Sequence, residues 1–195
     1  MPALCFSGPV RVDCYNTFVK TKHKLFLVGM MGAGKTTVGR QLAKRLGKTF
    51  YDADREIEAR TGVRVAVIFD IESEAGFRKR EAEVIEQLTA MSDIVLATGG
   101  GAVLDPRNRE RLSTRGFVIY LHALPQALWQ RTRADKSRPL LQGGDPRERL
   151  EALYAERDPL YREVADLVIE TGRQGIGPLL AQVLARFDQA CKLSA

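Results

Sequence analysis

The chain has little of what metal clusters and disulfide frameworks need: three cysteines and two histidines in 195 residues. Cys5, Cys14 and Cys191 form no CxxC pair, and with only His23 and His122 no zinc-type cluster assembles from the usual spacings. So sparse and odd a cysteine count suits a reducing compartment, and the cytoplasm is the expected location. Long hydrophobic runs are also missing. The longest largely apolar stretch, Leu25 to Ala33, is far too short to cross a bilayer, which excludes a membrane span. Internal repeats and low-complexity segments are absent as well.

A concentrated charge of one sign is lacking too. The formal charge of +6 comes from 30 Lys and Arg against 24 Asp and Glu. Half of that excess sits before residue 25, where Arg11, Lys20, Lys22 and Lys24 face only Asp13. The rest is diluted over the chain, which argues against a nucleic-acid partner. The length suits one domain. We expect a loose tail over residues 1–23 and one domain over 24–195. The tail lacks the apolar core of a secretory signal, and its basic excess leaves an organelle transit peptide open.

What is present is an alternation of short apolar runs with amphipathic ones. Leu25 to Val28 reads as a buried strand, and Val38, Leu42 and Leu46 recur every four positions before Gly47, as in a helix with a glycine stop. A run from Lys48 to Tyr51 leads to Asp52-Ala53-Asp54. Helices are expected over Arg55 to Thr61, Val63 to Ile71 and Glu74 to Ala90, the last with Phe77, Val84, Ile85 and Leu88 on one face. Ile94 to Ala97 and Phe117 to Leu121 read as strands around a helix from Asp105 to Arg115. Pro125 opens a helix to about Ala134. Asp135 to Asp145 reads as a loop, followed by a helix from Pro146 to Arg157, a strand-like run from Asp166 to Ile169 and a last helix from about Pro178. Strands separated by helices indicate an α/β fold with a parallel sheet covered on both faces.

Gly29-Met30-Met31-Gly32-Ala33-Gly34-Lys35-Thr36 matches G-x-x-x-x-G-K-[ST] at every position, between an expected strand and an expected helix. Such a loop folds its N–H groups around phosphate oxygens, the helix presents its positive end, Lys35 reaches the outer phosphates, and the Thr36 hydroxyl can ligate Mg²⁺. Switch GTPases, motor ATPases and small-molecule kinases share this loop. A GTPase N-K-x-D motif and a strand ending in D-E are both missing, which leaves a small kinase.

Asp52 and Asp54 can face one cleft, one serving Mg²⁺ and the other an acceptor hydroxyl. Asp54 equally suits a helix N-cap. Arg78, four residues after Glu74, makes a surface ion pair on the plainest reading. Gly99, Gly100 and Gly101 in succession suggest a backbone that a ligand approaches closely. Most arginines between Arg131 and Arg157 are interspersed with acids and read as solvated faces. Arg138, in the loop before Pro139, is placed to meet developing phosphoryl charge. His122 and Trp129 read as structural.

Together these residues resemble the shikimate kinase family. The resemblance rests on the Gly29 to Thr37 loop, Asp52-x-Asp54, Gly76-Phe77-Arg78, the Thr98 to Ala102 turn, Ser137-Arg138-Pro139-Leu140-Leu141 and Arg157-Asp-Pro-Leu-Tyr161, in order from about Lys24 to Arg186. It implies a three-layer P-loop kinase fold, with a five-stranded parallel sheet between helices and a mobile lid at about 135–146. The implied activity is transfer of the ATP γ-phosphate to the 3-hydroxyl of shikimate. By the same resemblance Gly32, Ala33, Gly34, Lys35, Thr36 and Thr37 hold ATP phosphates, and Thr36 with Asp52 serves Mg²⁺. Asp54 and Gly99 to Gly101 meet shikimate hydroxyls, Arg78 and Arg157 its carboxylate, and Phe69 and Phe77 line its pocket. Lys35, Asp54 and Arg138 are the implied catalytic set, and Arg131 and Gln174 lie near adenine. A monomer is expected. The departures are the tail and Ala53, where the family often has Ser or Thr. Still open are a P-loop kinase of another small acceptor, such as gluconate or a nucleoside monophosphate, and a nucleotide-binding regulatory module.

Overall fold

A computed structural model describes residues 24–133, 145–172 and 175–193. Five strands form one sheet: β1 (Lys24–Val28), β2 (Thr49–Asp52), β3 (Ile94–Ala97), β4 (Phe117–His122) and β5 (Leu167–Glu170), in the order β2-β3-β1-β4-β5. Every pairing is parallel. All residues of β3 and β4 are buried, as are Leu25 to Val28, so these strands read as continuous apolar runs because both faces are covered by helices. The register pairs Leu27 with Ala97 and with Ile119, and Asp52 with Ala97. The segments that follow β1, β2 and β3 therefore emerge side by side at one edge of the sheet.

Helix α1 (Lys35–Leu46) buries Val38, Gly39, Leu42 and Ala43 and stops at Gly47, whose φ of 65° no branched residue would readily take. Helix α2 (Ala53–Thr61) is capped by Asp52, whose side chain accepts from the Arg55 N–H, rather than by Asp54. The reason is that β2 runs through Asp52, so the turn into helix comes one residue after the strand and Asp54 lands in the first turn. Helix α3 (Val65–Ala90) is broken at Ser73, with φ 63° and ψ 177°, so the two expected helices are present and abut.

A short 3₁₀ turn, Ala102–Leu104, precedes α4 (Pro106–Arg115), and α5 (Pro125–Thr132) ends slightly short of the expected Ala134. Helix α6 (Pro146–Val164) is capped by Asp145 and continues through Pro159 past the expected end at Arg157. The continuation buries Tyr161 and Val164, which outweighs the one N–H that Pro159 removes. Leu150, Arg157, Tyr161 and Val164 then share a buried face, so Arg157 points inward and is not part of a solvated surface. Helix α7 (Ile176–Leu193) starts slightly before the expected Pro178. His122 and Trp129 pack as structural residues: His122 is buried between Glu170 and the Tyr154 hydroxyl.

Candidate active site

The loop from Gly29 to Gly34 joins β1 to α1. Gly32 and Gly34 take φ of 79° and 97°, the left-handed values that let successive N–H groups curve around an anion. No acid stands in the first turn of α1, so its positive end is not neutralised by the chain's own carboxylates. Lys35 arches back over the loop, its Nζ donating to the Gly29 and Met30 carbonyls at 2.7 and 2.9 Å. The Thr36 hydroxyl donates to Asp52 Oδ2 at 2.7 Å, so the two expected Mg²⁺ ligands, from different elements, meet.

Beside the loop lies a cavity of 640 Å³, within the usual range for small-ligand sites. Gly32, Ala33, Gly34 and Thr37 line one side, and Arg131 and Gly172 the other. The Arg131 guanidinium is fixed on the cavity wall by the Thr171 and Gly172 carbonyls, 2.5 and 2.6 Å away, and by the Gly32 carbonyl at 3.3 Å. Asp52, Asp54, Arg78 and Arg157 are outside this cavity.

They belong to a second cluster that touches the loop through Gly100, where a Cβ would stand 3.5 Å from the Met31 amide nitrogen. Asp54 enters it from α2, Arg78 and Glu81 from α3, Gly99 to Gly101 from the turn after β3, and Arg157 and Tyr161 from α6. Arg78 donates to Glu81 Oε2 at 2.7 Å and to Glu74 Oε1 at 2.7 Å. The surface pair with Glu74 thus exists, together with an inward pair that spacing did not suggest. A Cβ on Gly99 would overlap Glu81 Oε1 and stand 2.8 Å from Asp54 Oδ1, and one on Gly101 would overlap the Arg78 guanidinium. Two of the three glycines therefore make room for the protein's own charged side chains. The Tyr161 hydroxyl donates to the Gly100 carbonyl. Phe69 and Phe77 stack obliquely at 4.8 Å between centroids, with Arg78 over the Phe77 ring.

The electrostatics of this cluster are unusual. Burial, with Asp52 adding repulsion, raises the Asp54 carboxyl to about 6 against the pull of Lys35 and Arg78. Burial raises Glu81 to about 7 even though Arg78 opposes it. Arg157 is 2% exposed. Among the described residues its Nε and Nη1 have no hydrogen-bond partner, nor does Glu81 Oε1, and the Glu156 carboxylate stands 3.6 Å from Nε. Buried N–H groups of a cation without acceptors are costly and rare, which marks this face of Arg157 as built to receive an anion.

The expected site residues thus fall into two adjoining groups around the Gly29 to Gly34 loop. Arg138 and Gln174 lie outside the described residues, as does the expected lid as far as residue 144; Asp145 and Pro146 begin α6. Sequence reasoning missed Glu81, Tyr161 and Thr171. Glu81 did leave a signal, because it sits four residues from both Phe77 and Ile85 on the buried face of α3. Tyr161 closes the Arg157-Asp-Pro-Leu-Tyr161 motif without being given a role, and Thr171 left no signal, since the partners of both come from distant elements. The geometry can accept a polyphosphate on one side and, on the other, a small acid with hydroxyl groups.

The shikimate kinase family model matches residues 31–188. Shikimate kinase of Burkholderia lata is 62% identical over 166 residues, covering 85% of this chain and 90% of that protein. The enzyme of Thiobacillus denitrificans is 59% identical over 167 residues, covering 86% and 91%. Among solved structures, shikimate kinase from Acinetobacter baumannii in complex with shikimate aligns with a TM-score of 0.84 at 48% identity, over 87% of this chain and 95% of that one.

Proposed function

The chain belongs to the shikimate kinase family, and on that premise we propose how its own side chains divide the work of the reaction. The enzyme transfers the γ-phosphoryl group of ATP to the 3-hydroxyl of shikimate, giving shikimate 3-phosphate for chorismate and aromatic amino-acid biosynthesis. The observation that carries the assignment of residues is Arg157, a buried guanidinium that has two nitrogens lacking acceptors among the described residues and shares with Arg78 the field of Glu81. A carboxylate supplies acceptors in the planar, two-point form that guanidinium groups match. Arg157 and Arg78 hold the shikimate carboxylate, and Phe69 and Phe77 flank the ring.

With the acid held there, a ring hydroxyl is directed toward Asp54 and the Gly99 to Gly101 backbone. The hydroxyl oxygen forms the new O–P bond as the bond from phosphorus to the ADP oxygen breaks, and Asp54 accepts the hydroxyl proton. The raised carboxyl of Asp54 supports that role, since a base near neutrality is matched to the proton it must hold. The Gly32 to Thr37 backbone and Lys35 hold the phosphates, and Lys35 with Arg138 stabilises charge on the phosphoryl oxygens. Arg131 and Gln174 border the adenine. Thr36 Oγ1 and Asp52 Oδ2 form a hydroxyl and carboxylate pair of hard oxygens that suits Mg²⁺, which favours few protein ligands besides phosphate. Bound there, Mg²⁺ would neutralise charge on the terminal phosphates.

We further propose one domain over residues 24–195 with a lid at about 135–146, acting as a monomer in the cytoplasm. Among the described residues no helix is long and apolar enough to cross a membrane. The test of the whole reading is ADP release by the purified protein with ATP and Mg²⁺. Release should depend on shikimate and not appear with gluconate or AMP. Release that follows one of those acceptors instead would overturn it.

A further inference from the structure

Three contacts hold the junction inside α3. Ser73 takes a backbone conformation, φ 63° and ψ 177°, that suits glycine and strains a residue with a side chain. The change of direction brings Glu72 back onto Arg80, whose Nε donates to Oε2 at 2.8 Å and Nη2 to Oε1 at 2.6 Å. In an unbroken helix residues eight apart lie about 12 Å apart along the axis, so this two-point pair exists only because of the break. Gly76 makes room for it, because a Cβ there would stand 2.5 Å from Glu72 Cβ and 3.1 Å from Oε2. The third contact is the stacking of Phe69, before the break, on Phe77, after it.

This junction adjoins the acceptor cluster. Arg78 lies between Phe77 and Arg80 in sequence, and its guanidinium rests against Gly101. The side chains of Arg80 and Glu72 are 41% and 34% exposed, so the pair adds little to stability. What it does is fix an angle. We propose that Glu72 and Arg80, seated on Gly76, form a clasp across the Ser73 break that positions Phe69, Phe77 and Arg78 for shikimate. Both are positioning residues that act through those three side chains, and the proposal rests on the assignment of that trio to shikimate made above.

The test is steady-state kinetics of the full chain with ATP and shikimate for Glu72→Ala, Arg80→Ala, Arg80→Lys and Gly76→Ala, with Arg78→Ala as reference. Glu72→Ala, Arg80→Ala and Gly76→Ala should each raise the KM for shikimate roughly five- to tenfold. The KM for ATP should stay near that of the unaltered chain, as should the melting temperatures of Glu72→Ala and Arg80→Ala, whereas Gly76→Ala, whose Cβ meets Glu72 Cβ, should also lose some stability; Arg80→Lys should recover part of the loss. An unchanged KM for shikimate in Glu72→Ala and Arg80→Ala, while Arg78→Ala raises it, overturns the clasp alone. Equal rises in both KM values together with a lowered melting temperature also overturn it, by making the pair merely structural. An unchanged KM in Arg78→Ala overturns the clasp together with the acceptor-site assignment.

Discussion

Glu81→Gln tests whether the acceptor cluster is as buried and as charged as described. Glu81 is 1% exposed, Arg78 engages one of its oxygens, and its carboxyl is raised to about 7 from 4.5. The folded protein therefore holds this proton more tightly than the unfolded chain does. That contribution is fully present below about pH 4.5 and is lost as the pH rises through about 7. At about 1.4 kcal/mol per pH unit, the window corresponds to roughly 3 kcal/mol for a group this deeply buried. Gln keeps the shape and one acceptor and cannot titrate. The melting temperature of the unaltered chain, followed by calorimetry from pH 4.5 to 8, should fall relative to Glu81→Gln by roughly 6 to 12 °C, at about 2 to 4 °C per kcal/mol. Parallel profiles for the two proteins would refute the reasoning, for they would mean that Glu81 titrates alike folded and unfolded.

Other predictions address single contacts. Lys35→Ala should lower kcat on the order of a hundredfold or more, as expected on removing one donor to transition-state charge; near-normal turnover would remove Lys35 from the phosphate site. Arg157→Ala should weaken shikimate binding by roughly 2 to 5 kcal/mol in calorimetry, with ATP affinity unchanged. Equal losses for both ligands would make Arg157 a general packing residue. Ser73→Gly should raise the melting temperature, by up to roughly 10 °C, because about 1 to 3 kcal/mol of backbone strain is relieved against about 0.5 to 1 of added chain entropy. A lower melting temperature would show that Ser73 is unstrained.

The nucleotide side was legible because its chemistry is local. The spacing of Gly29, Gly34, Lys35 and Thr36 sets a strand, a turn and a helix within one short segment, and the structure has all three. A parallel sheet covered on both faces was likewise readable from apolar runs alternating with helices, while its count of five strands came from the resemblance. The acceptor side was not legible from spacing, because its parts come from α2, α3, the turn after β3, and α6. Arg157 sat among arginines interspersed with acids, and only the resemblance singled it out. What turns it inward is the extension of α6 through Pro159, which a rule against internal proline argues against. Glu81 was passed over because a charge on a helix is usually solvated. Its reason for being buried, the space left by Gly99, lies on another element. The N-cap went to Asp52 and not Asp54 for a comparable reason: cap position depends on where the strand ends, which residue types alone do not specify.

The central proposal is that the buried Arg157 and the partly exposed Arg78 grip the carboxylate of the acceptor beside the phosphate loop. Calorimetric titration of the unaltered protein with shikimate and with its methyl ester tests it most directly, since the charge is removed from the ligand and the protein is left intact. The account predicts that the ester binds at least about thirtyfold more weakly, the lower end expected for loss of one partner of a desolvated charge pair. Equal dissociation constants for acid and ester would contradict it.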